Sequence, residues 1–151
     1  MKKKILCVLL IAVLLAVGSL NWSKVHVARA LQINLWAGTV LEDEDNHGGF
    51  HGDGFRWMVV KFKKDISEQL AENDKWKELP LTQNLETAAH DFALFPDDLE
   101  VSEGYYYFRD RHSQSTDPTD DNQLLGRNSY NFDLAIYDSQ TQTLYYSETD
   151  T

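Results

Sequence analysis

The stretch from residue 43 to residue 55 collects the side chains best suited to chemistry in this chain. It reads DEDNHGGFHGDGF, with two histidines four positions apart among acidic residues and glycines. Imidazole nitrogens together with carboxylate oxygens suit zinc or another transition metal, whereas carboxylates alone suit calcium. A divalent-metal site in this stretch would use His47, His51 and Asp53, with Asp43 or Asp45 completing the shell.

The glycines of the same stretch support a simpler interpretation. Histidines at i and i+4 bind zinc from one face of a helix, but Gly48 and Gly49 disfavour a helix here. Asp43 and Asp45 begin a calcium-loop spacing, yet no glycine or distant glutamate follows in register. A glycine-rich turn that needs positive φ angles, with acidic residues for solubility, is the alternative to a metal site.

A second candidate group, Arg109-Asp110-Arg111-His112, closes an aromatic-rich strand pattern that begins at Tyr105. Strand alternation predicts that Asp110 and His112 share one face and that the two arginines share the other. A carboxylate beside a histidine can orient the imidazole as a general base. The alternative is a strand end whose charges pair with one another across the sheet.

Two function hypotheses follow from these groups. One is a small hydrolase, either metal-assisted or metal-independent. It requires the side chains of His51, Asp53, Asp110 and His112 to lie close together in the fold. The other is a non-catalytic extracytoplasmic binding or interaction module. The sequence contains no serine in a G-x-S-x-G setting, no phosphate-binding glycine loop and no Rossmann fingerprint, which favours the binding module.

The first 30 residues are typical of a targeting segment. Three lysines at positions 2 to 4 precede the uncharged apolar run 5–20, which is the pattern of a secretory signal. Ala28-Arg29-Ala30 fits the small-x-small cleavage rule and predicts a mature chain that starts at Leu31. An uncleaved membrane anchor, with 21–30 as a tether, is the alternative. We therefore expect a single exported domain over 31–151, secreted or tethered to the outer face of the cytoplasmic membrane.

Charge and cysteine content narrow the chemistry of that domain. The single cysteine, Cys7, lies in the targeting segment, so the domain has neither a disulfide nor a thiol nucleophile. Residues 31–151 carry nine Lys and Arg against 24 Asp and Glu, a net charge of −15. This charge argues against nucleic acid and anionic lipid. It favours a protein or cationic partner in the cell envelope, with membrane contact only through the N-terminal segment if it is uncleaved.

The periodicity of apolar residues predicts an α+β domain. Alternation indicates strands over 32–42, 55–63 and 105–112, and two further runs around Asp138 to Thr143 indicate a C-terminal β-hairpin. Asp65-Ile66-Ser67-Glu68 resembles a capping box that starts a short helix, and a buried stripe from Leu85 to Phe92 indicates a second. We predict an antiparallel sheet of about five strands with two short helices on one face.

Four segments resemble a group of small, uncharacterised Gram-positive bacterial proteins with an N-terminal apolar segment. These are HGGFHGDG at 47–54, WKELPL at 76–81, YYYFRDRH at 105–112 and IYDSQTQTLYYSETDT at 136–151. The resemblance covers most of residues 40–151. It implies an exported or membrane-tethered protein and brings no activity, ligand or catalytic residue with it.

Overall fold

The computed structural model describes residues 22–48 and 52–151, and the chain divides into two compact units, Met1–Trp36 and Ala37–Thr151. In the first unit, residues 22–31 form helix α1. Gln32 follows with a φ of 56°, and the Ile33 N–H donates to the Ala28 carbonyl at 3.2 Å. Helices commonly end with a residue in the left-handed conformation, because this turn of the backbone lets the carbonyl groups of the last helical turn accept hydrogen bonds.

The predicted strand over 32–42 is wrong in its first half. Leu31 ends α1 instead of opening a strand, and the first strand of the sheet begins only at Gly38. Ile33 and Leu35 are buried, as the alternation indicated, but they lie outside the sheet. Alternation of buried and exposed residues does not require strand pairing, so a segment outside the sheet can show the same pattern.

The targeting prediction falls mainly outside the described residues, because the lysines, the apolar run 5–20 and Cys7 all precede residue 22. The predicted cleavage tripeptide Ala28-Arg29-Ala30 lies within α1. No helix in the part of the chain that the structure describes combines the length and apolarity needed to cross a membrane.

The second unit is an α+β domain built on a six-stranded antiparallel sheet, which confirms the predicted class. Its strands are β1 (Gly38–Asp45), β2 (Gly54–Phe62), β3 (Trp76–Glu78), β4 (Gly104–Asp110), β5 (Asn131–Asp138) and β6 (Thr143–Asp150). Their spatial order is β1-β2-β6-β5-β4-β3. Helix α2 (Ser67–Ala71), helix α3 (Gln83–Asp91) and a 3-10 turn (Asp121–Gln123) connect them.

The predicted C-terminal hairpin is confirmed, and it forms the centre of the sheet. β5 and β6 pair from Asn131↔Asp150 to Asp138↔Thr143, while β2 flanks β6 and β4 flanks β5. The Asp138 carboxylate accepts hydrogen bonds from the backbone N–H groups of Gln140 and Thr141 at 2.8 and 3.2 Å. Such local bonds from an aspartate to its own turn are a recurrent way to fix a tight connection.

Helix α3 covers one face of the sheet, which we call the helix face. Its residues Leu85 and Ala88 are buried there, in agreement with the predicted apolar stripe. The side chains that they join on the sheet are Tyr106, Phe108, Phe132 and Leu134. The residues that lead into α2 instead bond to Tyr137, on the opposite face: the Ile66 N–H donates to the Tyr137 hydroxyl at 3.1 Å. The two helices therefore belong to different faces.

The sixth strand, β3, was not predicted. It has only three residues, pairs with β4 at the edge of the sheet and ends just before Pro80. Gly104, the first residue of β4, has a φ of 144°. A Cβ atom at this position would lie 1.9 Å from the Tyr137 carbonyl oxygen on the neighbouring strand β5. This position therefore requires glycine.

Candidate functional site

A groove of about 990 Å³ opens on the helix face, beside the end of α3. Its floor is formed by the adjacent strands β1, β2 and β6, and the segment 92–96 forms one wall. The groove lies within the unit Ala37–Thr151. Its floor side chains include Glu42, Glu44, Phe55, Trp57, Ser147 and Thr149, and the wall includes Phe92 and Phe95.

Trp57 is the central aromatic side chain of this groove. Its ring centroid lies 5.9 Å from that of Phe95 in an edge-to-face arrangement and 6.2 Å from that of Tyr145. The indole Nε1–H donates to Glu42 Oε2 at 2.7 Å, which fixes the orientation of the ring. Phe55, on the same strand, is 43% exposed. An aromatic surface is thus held open to solvent beside a carboxylate.

The rim of the groove is acidic. The described lining residues include Glu42, Glu44, Asp53 and Asp150, and none of them is a lysine or arginine. Carboxylates next to an aromatic face attract cations through both the net charge and the ring quadrupole. The groove therefore suits a ligand that combines positive charge with apolar or aromatic surface.

A β-bulge in β1 places the two glutamates on the groove side. The pairing of β1 with β2 shifts between Val40 and Glu42, and the extra residue, Leu41, is 59% exposed. After the bulge, Glu42 and Glu44 stand on the helix face with Trp57. A one-residue shift exchanges the faces of every later side chain, so Asp43 and Asp45 point to the opposite face.

The opposite face carries a cluster of charged side chains at the same end of the sheet. We call it the ionic network; it consists of Asp43, Asp45, His47, Arg56, Arg111, Asp133, Glu148 and Asp150. Arg111 bridges three carboxylates from two strands, β5 and β6: Nε lies 3.1 Å from Asp133 Oδ1, and NH2 lies 3.0 Å from Asp150 Oδ1 and 3.3 Å from Glu148 Oε1.

Arg56 forms the second centre of the ionic network. Its guanidinium makes a close ion pair with Asp45 and lies 3.6 Å from Glu148 Oε2 and 3.7 Å from Asp43 Oδ1. Arg56 is only 8% exposed, so these carboxylates offset the cost of burying its charge.

Burial and charge act in opposite directions on the pKa values within the ionic network. Burial raises the pKa of Asp133 to about 6, and the neighbouring Arg111 guanidinium only partly opposes this. Burial alone would lower the Arg111 pKa, but the carboxylates around it, Asp133 first, raise it. The guanidinium therefore stays charged, whereas Asp133 gains a proton more readily than an exposed aspartate.

His47 joins the loop after β1 to this network. Its Nδ1 lies 2.7 Å from Asp45 Oδ1 and its Nε2 lies 3.2 Å from Asp150 Oδ2. Of the residues predicted as metal ligands, the structure brings His47 and Asp45 together and turns Asp43 toward Arg56. Glu148 and Asp150 were missed, because they lie a hundred residues away in sequence and reach His47 only through the β2–β6 pairing.

The remaining residues of the predicted metal site are not part of this group. Asp53 lines the groove, and no hydrogen bond or ion pair to a described residue joins it to His47. His51 lies outside the described residues. Gly52 and Gly54 have φ values of 77° and 159°, which agrees with the glycine-turn interpretation of this loop.

The side chains of the proposed Asp110–His112 pair bond to different partners in the structure. The Asp110 carboxylate accepts from Arg127 NH1 at 2.6 Å and from the backbone N–H of His112 at 3.0 Å. The His112 ring instead contacts Ser129 Oγ at 3.0 Å. Among the residues described, neither Asp110 nor His112 bonds to Asp53. This arrangement matches charge pairing around a strand end, the alternative to catalysis.

Comparisons of the chain with protein-family models, with curated protein sequences and with solved structures each found no match.

Proposed function

We propose that the protein is a non-catalytic extracytoplasmic binding module whose groove takes a basic segment of a partner protein. The observation that carries this proposal is the position of Trp57, held by Glu42 and flanked by Phe95 and Tyr145 at an acidic rim. A lysine or arginine over an indole face gains cation–π attraction, and an adjacent apolar side chain gains burial against the phenylalanines.

The charge of the domain supports the same class of partner. A net charge of −15 over residues 31–151 attracts basic segments from a distance, and the rim carboxylates then fix their position. At about 990 Å³, the groove has the dimensions of a site for several side chains of an extended peptide.

The direct test uses three acetylated, amidated hexapeptides with alternating residues: lysine with phenylalanine, lysine with serine, and glutamate with phenylalanine. Titration calorimetry at low and moderate salt measures their affinity. We expect the Lys-Phe peptide to bind best, the Lys-Ser peptide about tenfold more weakly and the Glu-Phe peptide not measurably, because only the first satisfies both the rim and the aromatic floor.

Two variants locate the binding. Glu44→Gln with Asp53→Asn removes two rim charges and is expected to weaken the Lys-Phe peptide about three- to tenfold. The matched control is Glu72→Gln with Asp74→Asn, two exposed acids outside the groove lining. Equal weakening by both pairs would show that the peptide responds to net charge alone and would refute the groove as its site.

The extracytoplasmic part of the proposal rests on the N-terminal signal pattern. Mass spectrometry of the protein from its own cells is expected to find a chain that starts at Leu31 in the exported fraction. An intact Met1 terminus in the membrane fraction would establish the tether instead, and recovery of an intact chain from the cytosol would refute export.

A further inference from the structure

The face of the sheet opposite the groove brings one imidazole and two carboxylates from distant parts of the chain into one place. One ring nitrogen of His47, one oxygen of Glu148 and one oxygen of Asp150 all lie within 4.8 Å of one another. Glu148 is buried, and His47 and Asp150 are each about one-fifth exposed at the side chain. From this geometry we infer that His47, Glu148 and Asp150 bind a divalent transition-metal ion of the zinc class.

The hydrogen bond on the far side of the imidazole fixes its tautomer. Nδ1 lies 2.7 Å from Asp45 Oδ1, and a carboxylate oxygen accepts only, so Nδ1 carries a proton and the neutral ring has its lone pair on Nε2. A histidine that donates from one ring nitrogen to a carboxylate and presents the other nitrogen to a metal is a recurrent arrangement in zinc sites. Asp45 is thus a positioning residue and not a ligand.

Nε2 then presents a lone pair to a second carboxylate. It is buried, lies 3.2 Å from Asp150 Oδ2 and lacks a partner with hydrogen-bond geometry among the described residues. Two acceptor atoms at this distance repel each other unless a cation lies between them. A proton on Nε2 would not point at the oxygen, whereas a metal ion off the line that joins the two atoms satisfies both.

The spacing of the two atoms fits the ion. Bonds of 2.0 to 2.1 Å arranged tetrahedrally around zinc separate neighbouring ligand atoms by about 3.3 Å. The observed 3.2 Å between Nε2 and Oδ2 is close to that value. An imidazole with two carboxylates is also a donor set that zinc-class ions accept and that calcium, which prefers oxygen alone, does not.

The charge of the ionic network leaves room for a divalent cation. Its five carboxylates face two guanidiniums, an excess of three negative charges when His47 is neutral. Arg111 lies 3.3 Å from Glu148 Oε1 and 3.0 Å from Asp150 Oδ1, and Glu148 Oε2 accepts a hydrogen bond from the Tyr146 hydroxyl at 3.3 Å. Asp150 Oδ2, the oxygen that faces the imidazole, is not the one that Arg111 holds.

Zinc titration of the full-length chain, first stripped with a chelator, tests this inference. We expect one zinc ion per chain, and cobalt in its place should give the visible absorption of a nitrogen–oxygen tetrahedral site. His47→Gln and Asp150→Asn should each abolish saturable binding. Asp45→Asn keeps all three ligands and should weaken zinc 10- to 100-fold, the usual effect of losing the partner of a metal-bound histidine.

The control is His90→Gln. The His90 side chain is 88% exposed, and its Nδ1 lies 3.1 Å from Asp91 Oδ1. This pair therefore has a histidine beside a carboxylate, but it lacks a buried carboxylate such as Glu148. Zinc binding should be unchanged in this variant. The inference is overturned if the stripped protein takes up no saturable zinc. It is also overturned if neither His47→Gln nor Asp45→Asn binds zinc more weakly than His90→Gln does. In either case the His47–Asp150 contact is an imidazolium ion pair. Thermal unfolding of each variant shows whether a loss of zinc binding results from a loss of folding. If His47→Gln does not fold, zinc binding by Asp45→Asn decides whether the inference holds.

Discussion

Neighbouring residues of the same strand belong to different sites in this domain, because their side chains point to opposite faces of the sheet. In β1, Glu42 orients the groove tryptophan, while its neighbour Asp43 faces Arg56 on the other side of the sheet. In β6, Thr149 lines the groove, while Glu148 and Asp150 hold Arg111. Successive side chains of a strand point to opposite faces, so substitutions of Glu42 or Thr149 address the groove and those of Asp43 or Glu148 address the ionic network. Asp150, the last residue of β6, borders both.

Asp110 is predicted to be a stability residue. Its side chain is fully buried and paired with Arg127, which is 12% exposed. Asp110→Ala leaves that guanidinium without its partner, so we expect the free energy of unfolding to fall by about 3 kcal/mol or more, measured by chemical denaturation. The exposed substitution Asp74→Ala should change it by less than about 0.5 kcal/mol.

Adding Arg127→Met to Asp110→Ala tests the reason for this loss. Removal of the uncompensated charge should recover part of the stability, so that the double variant is more stable than Asp110→Ala alone. An unchanged unfolding free energy in Asp110→Ala would reject the structural role and reopen the acid–base role of the Asp110–His112 pair.

At the scale of elements, local patterns predicted most of the sheet. β2, β4, the C-terminal hairpin and α3 occur where alternation or helical periodicity placed them. The three-residue β3 is too short to produce a periodic signal, and the bulge at Leu41 shifts the later residues of β1 to faces that simple alternation does not predict. Both short helices were predicted to lie on one face, because the order of the elements along the chain does not determine which face each helix covers.

The hairpin is predicted to be indispensable, because β5 and β6 join the two halves of the sheet. Phe132, Leu134, Ile136 and Leu144 are all buried. Each would forfeit about 1.5 to 3 kcal/mol, and the sum is comparable with the whole stability of a domain. We expect deletion of residues 131–151 to remove the cooperative thermal transition, followed by circular dichroism. A cooperative transition that survives the deletion would show that the hairpin is an appendage.

The entry to α2 is predicted to give a pH-dependent contribution. Burial alone would raise the pKa of Asp65, but hydrogen bonds from Ser67 and Tyr137 lower it. A carboxyl whose folded pKa lies below its unfolded value stabilises the fold above the unfolded pKa of about 3.9, and this stabilisation is lost as the pH falls through the folded pKa. Asp65→Asn should therefore lower the melting temperature at pH 7 and have little effect near pH 2.

Asp74→Asn is the control for this experiment, because it removes an exposed charge without those hydrogen bonds. A difference between Asp65→Asn and the wild type that stays constant from pH 7 to pH 2 would contradict the assignment.

At the scale of the whole molecule, both sites depend on contacts between distant segments. The groove combines residues 42–57 with 92–96 and 147–151, and the proposed metal ligands combine His47 with β6. Composition and motif predicted which residue types were available, and the acidity of the domain motivates the proposal of a basic partner. The actual groupings follow from strand order and register, which no local pattern in the sequence encodes.

The indole N–H signals of the four tryptophans provide the most direct test of the groove. Only Trp57 lines it; Trp22 and Trp36 are 70% and 61% exposed and report nonspecific contact, while Trp76 is buried. Nuclear magnetic resonance of nitrogen-15-labelled protein follows these signals during titration with the Lys-Phe hexapeptide, and Trp57→Phe assigns the groove signal. We predict a saturable shift of the Trp57 indole alone. Shifts of Trp22 and Trp36 with an unchanged Trp57 would contradict the proposal that this groove binds basic segments.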